Sequence, residues 1–127
     1  MATKHGDKTW RQNGLLHRDD GPAVEWASGT KEWYILDKRH RDDGPAIEYS
    51  DGSKEWYQYD MRHRDDGPAV VWSNGVRCWY RHGELHRDDG PAMILPNGTH
   101  QWYLNGIEYT REEFILYQFS RGVVIGE

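Results

Sequence analysis

Hydrophobic and polar positions along this chain repeat with a fixed period of 23 residues. A Trp recurs at this step, and so does an identical segment, His-Arg-Asp-Asp-Gly-Pro-Ala, four times without insertion. We call the four copies blocks 1 to 4, at residues 17–23, 40–46, 63–69 and 86–92. The recurring Trp residues are Trp10, Trp33, Trp56, Trp79 and Trp102. Self-similarity at this period predicts a protein of stacked supersecondary units.

Two sets of turn signals divide each repeat. The first set consists of pairs ending in Asp or Gly, at residues 13–14, 36–37, 59–60, 82–83 and 105–106. The second set always ends in Gly, at residues 28–29, 51–52, 74–75 and 97–98. Between them lie segments such as residues 23–26 and 31–34, which are too short for helices and rich in strand formers. The chain is therefore predicted to be all-β, a single-layer antiparallel meander of roughly nine strands built from hairpin repeats.

Alternation along the strands predicts which side chains share a face. Val24 and its equivalents lie two residues before Trp26 and its equivalents, and positions two apart point to the same side of a strand. The Trp33 column is expected to join them on neighbouring strands. All seven Trp residues occupy these two positions, so the prediction is an aromatic stack as the core.

The repeat pattern ends after residue 109. Thr110 and Glu113 form a capping-box signature that opens a helix, and the apolar residues that follow predict that the helix is buried on most sides. Gly122 can end it, and residues 123–125 predict a last strand. We therefore divide the chain into a flexible tail at residues 1–5, a repeat array at 6–109 and a capping unit at 110–127.

Charge and composition restrict the function classes. The formal net charge of −5 argues against binding to a nucleic-acid backbone or to an anionic membrane surface. The single cysteine, Cys78, cannot form an intrachain disulfide, and it aligns with Glu32, Glu55 and Gln101 at a position expected to face solvent. Residues 1–8 show no apolar segment of the secretory type, and we expect a cytoplasmic protein.

The block sequence admits several chemical interpretations. His-Arg-Asp occurs in kinase catalytic loops, but the Gly-rich loop, strand lysine and Asp-Phe-Gly of kinases are missing, so we expect no enzyme. Equivalent His residues in successive repeats would lie about 9.6 Å apart, too far to share one ion, so no metal or other cofactor is expected.

We favour a structural ladder in which Asp caps the turn, Gly permits left-handed angles and Pro starts the next strand. In this interpretation the His and Arg side chains hydrogen-bond to the Asp residues. The ladder residues are His17, Asp19, Asp20, His40, Asp42, Asp43, His63, Asp65, Asp66, His86, Asp88 and Asp89.

Two columns are candidate contact residues for a partner. One is a row of tyrosines expected on the face opposite the Trp column, and the other is the arginine of each block, which could meet an acidic partner or a phosphate. The candidates are Tyr34, Tyr57, Tyr80, Tyr103, Arg18, Arg41, Arg64 and Arg87. Burial of the tyrosines by neighbouring Arg and Lys stems is the structural alternative.

The two-strand unit of residues 51–67, from Asp-Gly-Ser-Lys-Glu-Trp-Tyr through Arg-His to Gly, resembles the MORN repeat, in particular its bacterial and phage variant. The resemblance covers about residues 6 to 109, although the usual Gly between the two aromatics is absent. It implies an interaction scaffold, and a family of antitoxins carries a similar repeat. We therefore expect a non-enzymatic protein-binding module of the inhibitor or antitoxin type. The alternatives are an oligomeric sponge for a nucleotide or small molecule, and a repeat protein that self-assembles through its C-terminal helix or sheet edge.

Overall fold

The computed structural model describes residues 6–122, which form eighteen short strands and one helix. The predicted tail at residues 1–5 and the predicted strand at 123–125 lie outside the described residues. The strands, in chain order, are β1 (Lys8–Thr9), β2 (Arg11–Gln12), β3 (Leu15–Leu16), β4 (Val24–Glu25), β5 (Lys31–Glu32), β6 (Tyr34–Ile35), β7 (Lys38–Arg39), β8 (Ile47–Glu48), β9 (Lys54–Glu55), β10 (Tyr57–Gln58), β11 (Met61–Arg62), β12 (Val70–Val71), β13 (Arg77–Cys78), β14 (Tyr80–Arg81), β15 (Glu84–Leu85), β16 (Met93–Ile94), β17 (His100–Leu104) and β18 (Ile107–Tyr109).

The predicted antiparallel meander is confirmed. Ten strands form one open sheet in the order β1-β4-β5-β8-β9-β12-β13-β16-β17-β18, and four separate two-stranded hairpins accompany it. The expectation of roughly nine strands was wrong because the strands are interrupted at four Trp residues, Trp10, Trp33, Trp56 and Trp79, and again at each of the four blocks. At Trp33, for example, the backbone N–H still bonds to the Ala46 carbonyl next to β8, at 2.7 Å, whereas the Trp33 carbonyl accepts the N–H of His40 next to β7, at 3.1 Å. Strands β6 and β7 then continue as a hairpin of their own.

Both sets of predicted turns are confirmed by the backbone angles. In the first set both central residues have positive φ, for example Asn13 (52°) with Gly14 (81°), as a type I′ hairpin requires. In the second set the closing glycine is left-handed, as at Gly29 (φ 99°), whose N–H bonds to the Trp26 carbonyl at 2.9 Å. The turn signals alone thus placed every reversal of the array correctly.

The core is not the predicted aromatic stack. Each of the first three blocks ends in a buried alanine that is followed by a buried aliphatic side chain, the fourth ends in buried Ala92 followed by half-buried Met93, whereas Trp26 is 44% exposed. The buried apolar residues are Ala23, Val24, Ala46, Ile47, Ala69, Val70, Cys78, Ala92, Leu104 and Phe114. The register places Glu32, one residue before Trp33, opposite Val24 and Ile47, so the Trp33 column does not join the apolar column, and its rings lie half-buried beside the core.

The position of Glu32, Glu55 and Cys78 was also predicted wrongly, since all three are buried rather than solvent-facing. In the sheet Val24 is directly opposite Glu32, and Val70 lies opposite both Glu55 and Cys78, so these side chains share the core face. The same column ends at Gln101, which is half-buried. Carboxylates on this face therefore need hydrogen-bond donors from the protein.

Those donors come from the tyrosine column, from the repeat position of Trp26 and Tyr49, and from arginines of the hairpins. Glu55 accepts hydrogen bonds from the Tyr49 hydroxyl, the Tyr57 hydroxyl (3.0 Å) and Arg62 (2.8 Å to Nη2). Glu32 is bonded in the same way by Trp26 Nε1 at 2.6 Å, the Tyr34 hydroxyl at 3.0 Å and Arg39 Nε at 3.4 Å. A buried polar network thus accompanies the apolar column in two of the repeats.

Helix α1 (Arg111–Ser120) closes the last strands of the array, and its predicted capping box is confirmed. The Thr110 hydroxyl accepts the Glu113 N–H at 3.1 Å, and the Glu113 carboxylate accepts the Thr110 N–H at 2.8 Å. The prediction that the helix is buried on most sides was wrong. Phe114 is buried, but Leu116 and Phe119 are 69% and 70% exposed, because only one helix face packs on β17 and β18. Within residues 6–122, no helix is both long and apolar enough to span a bilayer.

The network around Glu55 can be tested by comparison with the repeat that follows block 3, called here the third repeat. In it Cys78 and Leu85 occupy the positions of Glu55 and Arg62. Glu55→Cys removes the acceptor for Arg62 and two tyrosine hydroxyls, and it should lower the free energy of unfolding by about 1–3 kcal/mol. The double variant Glu55→Cys/Arg62→Leu, which reproduces the third repeat, should be more stable than the single variant. Urea unfolding of both would check this, and a double variant less stable than Glu55→Cys would contradict the network.

Candidate functional site: the acidic edge

The four blocks share one internal geometry. In each, the His Nε2 bonds to the first Asp at 2.8–2.9 Å, as between His40 and Asp42. The Arg Nε donates to the second Asp at 2.9–3.1 Å, as between Arg41 and Asp43. The prediction that the His and Arg side chains bond to the Asp residues is thereby confirmed within each turn.

The opposite nitrogen of each His bonds to the next repeat, which the sequence did not reveal. The backbone N–H of Tyr59 donates to His40 Nδ1 at 3.2 Å, and that of Asn105 to His86 Nδ1 at 2.8 Å. Leu36 and His82 make the same bond to His17 and His63. Because a backbone N–H can only donate, Nδ1 is unprotonated, and the ring proton must lie on Nε2, facing the Asp carboxylate.

Each block arginine covers a Trp ring instead of reaching into solvent. The guanidinium carbon lies 3.8 Å from the Trp33 ring centre for Arg41 and 4.0 Å from the matching Trp for the other three. The Nη1 atom also donates to the proline carbonyl of the block, as from Arg64 to Pro68 at 3.0 Å. These interactions hold the four predicted contact arginines within the fold.

The glycine of each block lies directly against the side chain of this arginine. The expected left-handed conformation is absent, since Gly67 and its equivalents in the other blocks are not among the positive-φ glycines of the described chain. A Cβ on Gly67 would instead stand 3.0 Å from Arg64 Cζ, and one on Gly21 would stand 2.9 Å from Arg18 Cζ. Glycine therefore leaves room for the guanidinium to pass directly over the backbone, and a larger residue would push the arginine side chain aside.

The carboxylates are the part of the blocks that projects into solvent. Seven of the eight Asp side chains are 81–88% exposed. Asp88 is the exception at 43%, because Arg81 and Arg121 approach it at 3.6 and 3.2 Å. We call the row of Asp pairs the acidic edge; it comprises Asp19, Asp20, Asp42, Asp43, Asp65, Asp66, Asp88 and Asp89.

Grooves of similar size separate consecutive blocks along the acidic edge. They have volumes of about 600, 670 and 630 Å³ between blocks 1 and 2, 2 and 3, and 3 and 4. Each is walled by the Asp pairs of two blocks and has one Trp in its lining, for example Trp56 between blocks 2 and 3. The lining therefore combines four carboxylates, the arginines of two blocks and one Trp ring.

The tyrosine column, the other predicted contact surface, is half-buried. Burial, then the Glu32 carboxylate, raises the pKa of Tyr34 to about 12, and burial also raises the pKa of Tyr57 and Tyr103. Arg39 lies between the Tyr34 and Tyr57 rings, 5.6 and 5.7 Å from their centres. The column is thus packed against arginine side chains, as the structural alternative expected, and two of its hydroxyls serve the buried carboxylates.

Other reactive groups do not assemble into a site. Among residues 6–122, no three His, Cys, Asp or Glu side chains are grouped so as to hold a metal ion. Cys78 is a free, buried thiol, and its burial raises its pKa, which disfavours the reactive thiolate.

Comparison with known proteins found no match: neither a protein-family model nor a curated protein matches the chain.

The bond between His63 and the next repeat can be tested directly. His63→Phe keeps a flat ring but leaves the His82 N–H without its acceptor, and it should lower the free energy of unfolding by about 1–3 kcal/mol. Asp65→Asn is the matched control, because its amide oxygen still accepts from Nε2. Urea unfolding of both variants measures the difference, and equal stabilities would show that His63 does not link the repeats.

Proposed function

We propose that this protein is a non-enzymatic protein-binding module whose acidic edge meets a basic surface on its partner. The observation that carries the proposal is that the side chains of each block differ in exposure. Their His and Arg side chains are used inside the fold, while seven Asp carboxylates remain more than four-fifths exposed. Regular spacing at two strands per repeat, about 9.6 Å, gives the edge a fixed pattern of negative charge.

The acidic edge is a better candidate than the columns expected from the sequence. Arg41 and its equivalents stack on Trp and pair with Asp, so releasing them for a partner would break contacts that hold the repeat. Tyr34 and Tyr57 donate their hydroxyls to buried carboxylates. Binding through the edge needs no such rearrangement, which favours rapid, electrostatically steered association.

The finer proposal is an inhibitor or antitoxin of bacterial or phage origin that blocks a basic partner protein in the cytoplasm. Support comes from the resemblance of the repeats to MORN repeats and to the repeats of an antitoxin family. It also comes from the acidic edge, which would suit a target whose own ligand is a polyanion. The buried free thiol of Cys78 is compatible with a reducing compartment.

Self-association is a second candidate, and the C-terminal helix is the feature that favours it. Leu116 and Phe119 lie one turn apart and are both largely exposed. Large apolar side chains grouped on one helix face often mark an interface.

The acidic edge can be tested by affinity capture from host lysate. We compare Asp43→Asn/Asp66→Asn/Asp89→Asn with the control Glu84→Gln/Glu108→Gln/Glu112→Gln, which removes the same number of negative charges elsewhere. The Asn variant keeps an oxygen for each arginine and should fold, yet it should lose a protein that the wild type and the control both retain. Raising the salt to about 1 M, where the Debye length is about 3 Å, should release that protein.

Retention of the same protein by wild type and Asn variant, at low and high salt alike, would contradict an electrostatic role for the edge. Recovery of no protein by the wild type would contradict the binding-module proposal itself.

A further inference from the structure

Large apolar side chains are concentrated at the tips of the hairpins. Within residues 6–122, five of the eight exposed large apolar side chains lie at or beside the type I′ turns. We call these five the tip row: Leu15, Leu36, Tyr59, Met61 and Ile107. The row draws on the first, second, third and fifth tips, which follow the repeat at about 9.6 Å per step, and the fourth tip, residues 82–84, adds none.

Two of these residues occupy a backbone conformation that disfavours them. Leu36 and Tyr59 both have φ 46°, where asparagine or glycine is preferred because a larger side chain crowds its own backbone. The same turn position holds Asn13 and Asn105, so the fold accepts the favoured residue. Leu36 is nonetheless 47% exposed and Tyr59 58%. The Tyr59 ring centre lies 4.2 Å from that of His40, but with so much of both side chains exposed, packing explains little of why leucine and tyrosine occupy these positions. Unfavourable backbone at exposed apolar residues points to a role in binding.

The tip row lies directly beside the acidic edge. The Tyr59 N–H bonds to one nitrogen of His40 and the other nitrogen bonds to Asp42, so one imidazole ring separates the tip from the carboxylate. Asp37 and Asp60 add carboxylates at the tips themselves, where they accept backbone N–H groups of the preceding repeat. Of the cations in these two hairpins, Arg39 and Arg62 bond to the buried carboxylates of Glu32 and Glu55, which leaves Lys38 beside the two tip carboxylates.

We propose that the tip row and the acidic edge together form a docking surface for a basic amphipathic segment of a partner protein. This proposal rests on the protein-binding function and specifies its partner. Apolar side chains of the segment would cover Leu36, Tyr59 and Met61, and its lysines or arginines would meet the flanking carboxylates. Charge complementarity favours this occupant, because the exposed carboxylates would repel an acidic segment, and a purely apolar segment would desolvate them without adding a cation.

The test uses a helical peptide of about 18 residues with leucine on one face and lysine on the other. Its affinity is measured by fluorescence anisotropy against wild type and against Leu36→Asn/Tyr59→Asn. Because asparagine suits the left-handed turn position, the double variant should melt at or above the wild-type temperature. Its affinity for the peptide should nonetheless fall about tenfold or more.

Two controls make the result specific. Leu116→Asn/Phe119→Asn removes two exposed apolar side chains from the helix instead and should bind as wild type does. A peptide of the same composition in scrambled order, without an apolar face, should bind more weakly to the wild type.

The possible outcomes separate the two proposals. Wild-type affinity in Leu36→Asn/Tyr59→Asn, with affinity lost in Asp43→Asn/Asp66→Asn/Asp89→Asn, would overturn the role of the tip row and leave the acidic edge standing. Equal affinity in all variants would overturn both. If Leu116→Asn/Phe119→Asn lost as much affinity for the peptide as Leu36→Asn/Tyr59→Asn, binding would not be specific to the tip row.

Discussion

The hydrogen bond from a backbone N–H at a hairpin tip to the Nδ1 atom of a histidine in the preceding repeat determines how this array is built. It joins residues 19 apart in sequence, as between His40 and Tyr59, and it recurs at every block. An insertion between block and tip would move the donor away from its acceptor and leave a polar group unpaired. The constant spacing of the blocks is thus explained by geometry, since all four histidines must meet a tip in the same way.

A second constraint is the small size of the core. The innermost residue of each repeat is an alanine with no exposed surface, and its neighbouring strands bond directly to its backbone. Large side chains cannot enter this layer, so the Trp rings lie beside it and are covered by arginines. Cation–π and ion-pair contacts therefore supply part of the stabilisation that a thicker apolar core would otherwise provide. Their use inside the fold leaves carboxylates and hairpin tips as the surfaces available to a partner.

Much of the architecture could be predicted from the sequence because turns and repeats are local signals. Paired Asn-Gly and Asp residues specify left-handed backbone, and Thr110 with Glu113 specifies a helix start, whatever lies around them. The burial of Glu55 could not be predicted in this way, because it depends on the register that sets Glu55 opposite Ile47 and Val70 and on donors from neighbouring segments. The role of Gly67 was equally hidden, since it depends on where the Arg64 guanidinium passes. The Asp pairs of the acidic edge could be identified in the sequence. That they, and not the block arginines, face solvent depends on tertiary contacts such as the stacking of each arginine on a Trp ring.

The central claim is that the four block histidines connect successive repeats through an unprotonated Nδ1. The most direct measurement is a long-range proton–nitrogen NMR spectrum of the histidine rings in the folded protein at neutral pH. We expect the proton on Nε2 and an unprotonated, hydrogen-bonded Nδ1 in all four rings, those of His17, His40, His63 and His86. Protonated Nδ1 in these four rings, or averaging between both tautomers as in a free imidazole, would contradict it.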